Sequence, residues 1–284
     1  MMPGTLLTRR ILIVSALVLS ASPAVLRAQA DAGRVLQRWD LLHLRGGWCL
    51  SFMMDPEKAA NELPDELVPV PVAEVADVHP AISRTATAEA QYSSWIPSRV
   101  CLYHFDTVAV DDRYVFTGDE LEEMNDTQTI GIWGIAARGA GTVDSGVVFF
   151  IPDFRVRDGS LRAVARRGNL KVDGMDVELG LLPDSIDYRY QYRVAETTLT
   201  WDGHLSAPDT SRAVEPLEHN WLVRSTRGSL ITATLGIEPL SRHYMAGILS
   251  IQGDEELAEA LNASPVRMVG PMYLGGSGSI DFER

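Results

Sequence analysis

Lysine is scarce in this chain: Lys58 and Lys171 are the only two, and 38 acidic residues outweigh 25 basic ones, for a formal charge of −13. A surface of that sign opposes nucleic acid and anionic membranes as partners, because both reward clustered Lys and Arg. Cysteine is limited to Cys49 and Cys101. Beyond the N-terminus no stretch approaches the roughly 20 apolar residues of a membrane-spanning helix. The six histidines, His43, His79, His104, His204, His219 and His243, are scattered singly, without the His-Glu-x-x-His spacing of a zinc site, so no metal is expected. No internal repeat is visible, which argues against a propeller or solenoid. Successive strand-like runs lack ten-residue helical patterns between them, which argues against a parallel α/β sheet.

Residues 1–30 read as a secretory signal: Arg9 and Arg10 form a basic start, Ile11 to Leu19 an apolar run, and Ala28-Gln29-Ala30 a small-residue cleavage site. No cysteine follows that site, so a lipoprotein anchor is not indicated. The mature chain, 31–284, is expected to be secreted or periplasmic, with no integral membrane segment and, once Arg9, Arg10 and Arg27 are gone, a charge of −16. The 46% hydrophobic content of the full chain suits one sizeable core, and a single all-β domain is expected over 31–284.

The run Gly46-Gly47-Trp48-Cys49-Leu50-Ser51-Phe52-Met53 alternates as a strand does, with Trp48, Leu50 and Phe52 on one side and Cys49 on the other. Arg99 to Phe105 carries the second cysteine in the same way. Export favours a Cys49–Cys101 disulfide, which would close a loop of about 53 residues and contribute on the order of 4 kcal/mol by chain entropy. Val35, Leu36, Trp39, Leu42 and Leu44 recur at near-helical spacing, so a short helix is expected over Asp31 to Leu44, ended by Gly46-Gly47. Residues 54–90 are rich in Pro, Ala and acids, with one helical turn expected near Asp55 to Leu63 and an extended segment over Leu67 to Val75.

After Trp95 the strand signals become regular, from Val100–Val110 through Tyr244–Ile251, separated by turns such as Asp111-Asp112, Asp158-Gly159, Asp202-Gly203 and Arg227-Gly228. The expected fold class is all-β, a largely antiparallel barrel or sandwich with the short N-terminal helix and one short helix at 254–262, capped by Asp254. Closing strands follow through Met268–Leu274 and Ser279–Phe282.

Motifs for chemistry are sparse. Gly275-Gly276-Ser277-Gly278-Ser279 lacks the glycine spacing of a nucleophile elbow, and Gly139-Ala140-Gly141 lacks the third glycine of a dinucleotide loop, so no cofactor is expected. The acidic run 119–126 could hold calcium but reads more simply as a solvated loop. Many carboxylates leave open a hydrolase built on a pair of them, though nothing selects the pair. The most distinctive run is Ile186 to Val194, which sets Tyr188, Tyr190 and Tyr192 on one face and Asp187, Arg189, Gln191 and Arg193 on the other. These tyrosines are the candidate binding residues, because a phenol ladder suits a ligand groove or a barrel interior.

A helix, then Gly46-x-Trp48 opening the first strand, a series of antiparallel strands, a helix at 254–262 and a final strand together resemble the lipocalins, and Ile186-Asp187-Tyr188 echoes their Thr-Asp-Tyr motif. That resemblance implies a secreted barrel around a small apolar molecule, with Trp48 at its closed end. The resulting expectation is a non-catalytic β-barrel-like protein that binds a small apolar molecule or a peptide. A carboxylate-pair hydrolase and a structural or surface-interaction domain are the alternatives.

Overall fold

The computed structural model describes residues 35–284 except 76–77, 119–126, 141–145, 182–186 and 195–196. The signal segment and the acidic run 119–126 therefore lie outside the described residues. In chain order the strands are β1 (Val35–Met54), β2 (Leu67–Pro69), β3 (Ile96–Val110), β4 (Tyr114–Thr117), β5 (Gln128–Gly139), β6 (Val148–Val156), β7 (Asp173–Gly174), β8 (Asp176–Leu181) and β9 (Asp187–Val194). The series continues with β10 (Thr197–Leu205), β11 (Leu217–Arg224), β12 (Leu230–Glu238), β13 (Ser241–His243), β14 (Met245–Gln252), β15 (Arg267–Val269), β16 (Met272–Leu274) and β17 (Ser277–Glu283). Four α-helices join them: α1 (Pro56–Glu62), α2 (Pro80–Ala88), α3 (Gly159–Arg167) and α4 (Glu256–Ala263). No helix among the described residues is long and apolar enough to cross a membrane.

The expected N-terminal helix is the first half of β1. Gln37, Trp39 and Leu41 are buried while Arg38 and Leu42 are exposed, a period of two that the polar Gln37 hides from a reading based on apolar spacing. Gln37 is satisfied where it lies: its Oε1 accepts from Trp39 Nε1 at 3.0 Å and its Nε2 donates to the Val164 carbonyl at 3.5 Å. At 20 residues, β1 is long enough to pair with β17 along Val35–Leu42 on one edge, β16 and β15 further along, and β3 on the other edge from Trp39 to Met54.

Pairing runs β1–β17–β12–β11–β6–β5–β3 and returns to β1 through β3. All seven strands contribute to one buried cluster, among them Trp39, Tyr103, Phe105, Ile132, Phe154, Trp221, Leu235 and Phe282, so the sheet curls around these side chains. The protein is mostly β as expected, but β11 runs parallel to β6, and further strands branch off. The expected largely antiparallel all-β class holds in the main, but the sheet is mixed, with β6–β11 and β6–β7 parallel, it carries four helices, and it is not the barrel expected.

Helix α3 falls where the sequence suggested only a turn. Asp158 caps it, Oδ1 accepting from the backbone of Ser160 at 2.6 Å and Leu161 at 2.8 Å, and Leu161, Val164 and Ala165 join the enclosed cluster. A second cluster lies on the outer face of β1, β3 and β5 and includes Trp48, Leu50, Phe52, Trp133, Leu199, Trp201 and Leu257. Trp48 therefore points away from the enclosed cluster, and its expected place at the closed end of a barrel is corrected. There α4 and a four-stranded sheet, β14-β10-β9-β8, cover the main sheet. Within the 54–90 excursion lie α1, α2 and β2, and β2 pairs with β5.

Candidate functional site

Cys49 and Cys101 stand directly opposite each other in the β1–β3 ladder and are joined as a disulfide. On β3 the residues facing inward alternate, so Arg99, Cys101 and Tyr103 share a face. Tyr103 is buried with its hydroxyl 3.7 Å from Cys49 Sγ, and burial pushes its phenol above the ordinary range.

Arg99 lines a cleft of about 440 Å³ together with Glu74, Val75, Val147, Phe149, Glu218, His219 and Asn220. The parallel ladder between β6 and β11 has Phe149↔Trp221 as its first pair, so Glu218–Asn220 keep β12 on one edge and meet the cleft on the other. The Arg99 guanidinium lies flat on Phe149, 3.4 Å from the ring centroid. Gly134 faces Arg99 across the β3–β5 ladder; a Cβ there would come within 3.1 Å of Ile151 Cδ1 and 3.3 Å of Phe149 Cδ1, so glycine leaves room for that ring.

His219 completes the contact. Its Nδ1 is 3.4 Å from Arg99 Nη1, and its ring stacks near Trp221 at 6.3 Å between centroids. A guanidinium can only donate, so Nδ1 is the acceptor and the neutral ring carries its hydrogen on Nε2. Burial, reinforced by the Arg99 charge, lowers the imidazole to about 4, which keeps it neutral at physiological pH. Of the two carboxylates, Glu74 is held by Arg138 at 2.7 Å. Glu218 has no ion-pair partner among the described residues.

The sequence did not single out Arg99, His219 or Glu218; one signal was present in the lone histidine alternating with Trp221. The candidate tyrosines lie elsewhere. The register sets Tyr188, Tyr190 and Tyr192 of β9 opposite Gly203, Trp201 and Leu199 of β10, and their side chains lie outside the described residues. A second hollow of about 400 Å³ beside Leu50, Trp201, Met245 and Leu249 carries one charged side chain, Arg267, and no group able to accept a proton near neutral pH. A lysine becomes a nucleophile near neutral pH when it is desolvated or set beside another cation. Lys58 is instead paired with Glu259 at 2.6 Å on the surface, and Lys171 is exposed. Among the described residues no group of three or more His, Cys, Asp and Glu is placed to hold a metal ion.

A mixed, curled β sheet with an Arg–His cleft is what the fold and site define. No protein-family model matches the chain, and no curated protein matches it by sequence. Solved structures with a similar backbone include the acetoacetate decarboxylase of Legionella pneumophila subsp. pneumophila str. Philadelphia 1, with TM-score 0.49 and 7% identity over 87% of this chain and 86% of that one. An acetoacetate decarboxylase-like enzyme from Sphingomonas wittichii RW1 gives 0.45 and 10% over 87% and 90%. The enduracididine biosynthesis enzyme MppR complexed with pyruvate gives 0.44 and 10% over 86% and 87%. Likeness at this level assigns no residue and no reaction.

The lipocalin resemblance is withdrawn on the fold: a strand stands where its opening helix was expected, Trp48 faces away from the enclosed cluster, and β11 runs parallel to β6. So is the expectation of a non-catalytic binder of small apolar molecules or peptides: the space within the curled sheet is filled by Trp39, Phe105, Phe154, Trp221 and Phe282. The carboxylate-pair hydrolase finds no support either, since Glu74 in the cleft is engaged by Arg138. The structural or surface-interaction domain is set aside with them.

Proposed function

We propose that this chain is an exported enzyme acting on a small oxo acid, whose carboxylate Arg99 binds and whose developing oxyanion His219 stabilises. The observation that carries the reading is the Arg99–His219 contact within the cleft. A guanidinium fork matches a carboxylate. A neutral imidazole donating through Nε2 can stabilise an enolate oxygen as it forms, without losing its own proton at rest. In this reading a C–H beside the carbonyl gives its proton to water while the oxygen takes up charge, which Arg99 and His219 share. The N-terminal signal and the Cys49–Cys101 disulfide support export.

The test is deuterium incorporation at C3 of pyruvate and of 2-oxobutanoate, the simplest 2-oxo acids, followed by proton NMR in D2O. Exchange should exceed the protein-free rate and fall about 100-fold in His219→Asn, the scale of losing one oxyanion donor. Arg99→Met should lose it as well, whereas Lys58→Arg should keep it. Exchange at the blank rate with both acids would overturn the reading.

A further inference from the structure

The hollow beside Leu50 and Trp201 shares no lining residue with the Arg99 cleft and has a chemistry of its own. Two strand pairs wall it. In the β1–β15 ladder Leu50 stands opposite Val269 and Phe52 opposite Arg267, so Val269 and Arg267 share the face of β1 that carries Leu50. In the β10–β14 ladder Trp201 stands opposite Leu249 and Gly203 opposite Gly247, and alternation adds Met245 to the same face. The space between them, about 400 Å³, falls within the range of small-molecule sites.

The polar side chains of this wall are all donors. Trp201 is 6% exposed, and its indole N–H is buried without a hydrogen-bond partner. That nitrogen lies against the glycine pair: a Cβ on Gly203 would come within 2.8 Å of Nε1, and Gly247, opposite Gly203, lines the hollow. Arg267 adds an exposed guanidinium, and no lining side chain is acidic. Indole and guanidinium nitrogens donate and cannot accept.

We propose that this hollow binds an aliphatic carboxylic acid. Its chain lies among Leu50, Val269, Met245 and Leu249, and its carboxylate accepts from Trp201 Nε1 and from Arg267. A neutral apolar molecule would leave both donors unmatched, and an amine would meet a like charge in Arg267. The site does not involve Arg99 or His219 and is independent of the oxo acid reading.

The test is NMR of the labelled exported protein, reading the Trp201 indole N–H signal, which Trp201→Phe identifies by its loss. Octanoate should shift this signal and bind about 15-fold more tightly than hexanoate, the scale of two buried methylenes. Propanoate, the short carboxylate that suits the Arg99 cleft, should leave the signal in place, and octan-1-ol and octylamine should bind more weakly than octanoate. Arg267→Gln, at an exposed position, should weaken octanoate about tenfold, the scale of a hydrogen bond to a charged group, and leave octan-1-ol unchanged. Octan-1-ol binding as tightly as octanoate, or octanoate no tighter than propanoate at this signal, would overturn the proposal. So would a Trp201 signal moved by phosphatidylglycerol vesicles and not by octanoate, which would assign the hollow to a membrane lipid.

Discussion

The guanidinium of Arg99 rests on the ring of Phe149, and that ring has its place because residue 134 has no side chain. Gly134→Ala should therefore push Phe149 aside and tilt the guanidinium away from His219. Overpacking of this kind costs about 1–3 kcal/mol. Urea denaturation should show the loss, and propanoate binding should weaken with it. Unchanged binding in a folded Gly134→Ala protein would separate Arg99 from its seat on Phe149.

His104 is fully buried on β3, with Nδ1 2.9 Å from Thr129 Oγ1, and burial, with the charge of Arg157, lowers it to about 3. The unfolded chain binds this proton near pH 6.5 and the folded chain does not, so unfolding gains protons across that window. Stability is at its full value above about pH 6.5, declines as pH falls, and stops declining on this account near 3. His219 acts in the same direction down to about 4. Comparing urea midpoints from pH 7 to 4 should give a shallower decline for His104→Asn than for the unsubstituted protein. Parallel curves would show that His104 titrates normally.

Removing the disulfide with Cys49→Ala and Cys101→Ala should lower stability by about 2–4 kcal/mol. β1 and β3 remain paired from Trp39 to Met54, so the variant should keep its circular dichroism spectrum and melt earlier. Rapid alkylation of both cysteines in the native, unreduced protein would contradict the bond itself.

Asp158→Ala should cost about 1 kcal/mol through loss of the α3 cap. Because Leu161 and Val164 belong to the enclosed cluster, the loss should appear in the global melting transition and not as fraying of one helix. Asp158→Asn should recover most of it.

Alternation made most of the strands legible, since inward positions such as Cys101, Tyr103 and Phe105 are separated by residues of the other face. The Cys49–Cys101 pairing was legible because each cysteine sits inside such a run. Helix α3 was not, because only Leu161, Val164 and Ala165 mark its buried face, and Asp158-Gly159 reads equally as a turn. The start of β1 was misread because burying Gln37 requires Val164 and Trp39 as partners, and those are fixed only in the fold. Arg99 and His219 lie 120 residues apart and meet through the parallel β6–β11 pairing, which no local pattern announces. The tyrosine ladder drew attention through its regularity, which records strand geometry and says little about chemistry.

Strand β1 also sets the order in which the molecule can assemble. Trp39 pairs with Val110 on one edge and with Ile280, about 240 residues downstream, on the other. While the chain emerges, one edge of its longest strand has no neighbour, and closing so distant a pair is entropically slow. A chain shortened before β17 would present Trp39 and Leu41 on an open edge, a template for another copy. Such truncations are expected to aggregate during refolding at micromolar concentration, where the intact chain, once β17 is seated, has no such edge to offer.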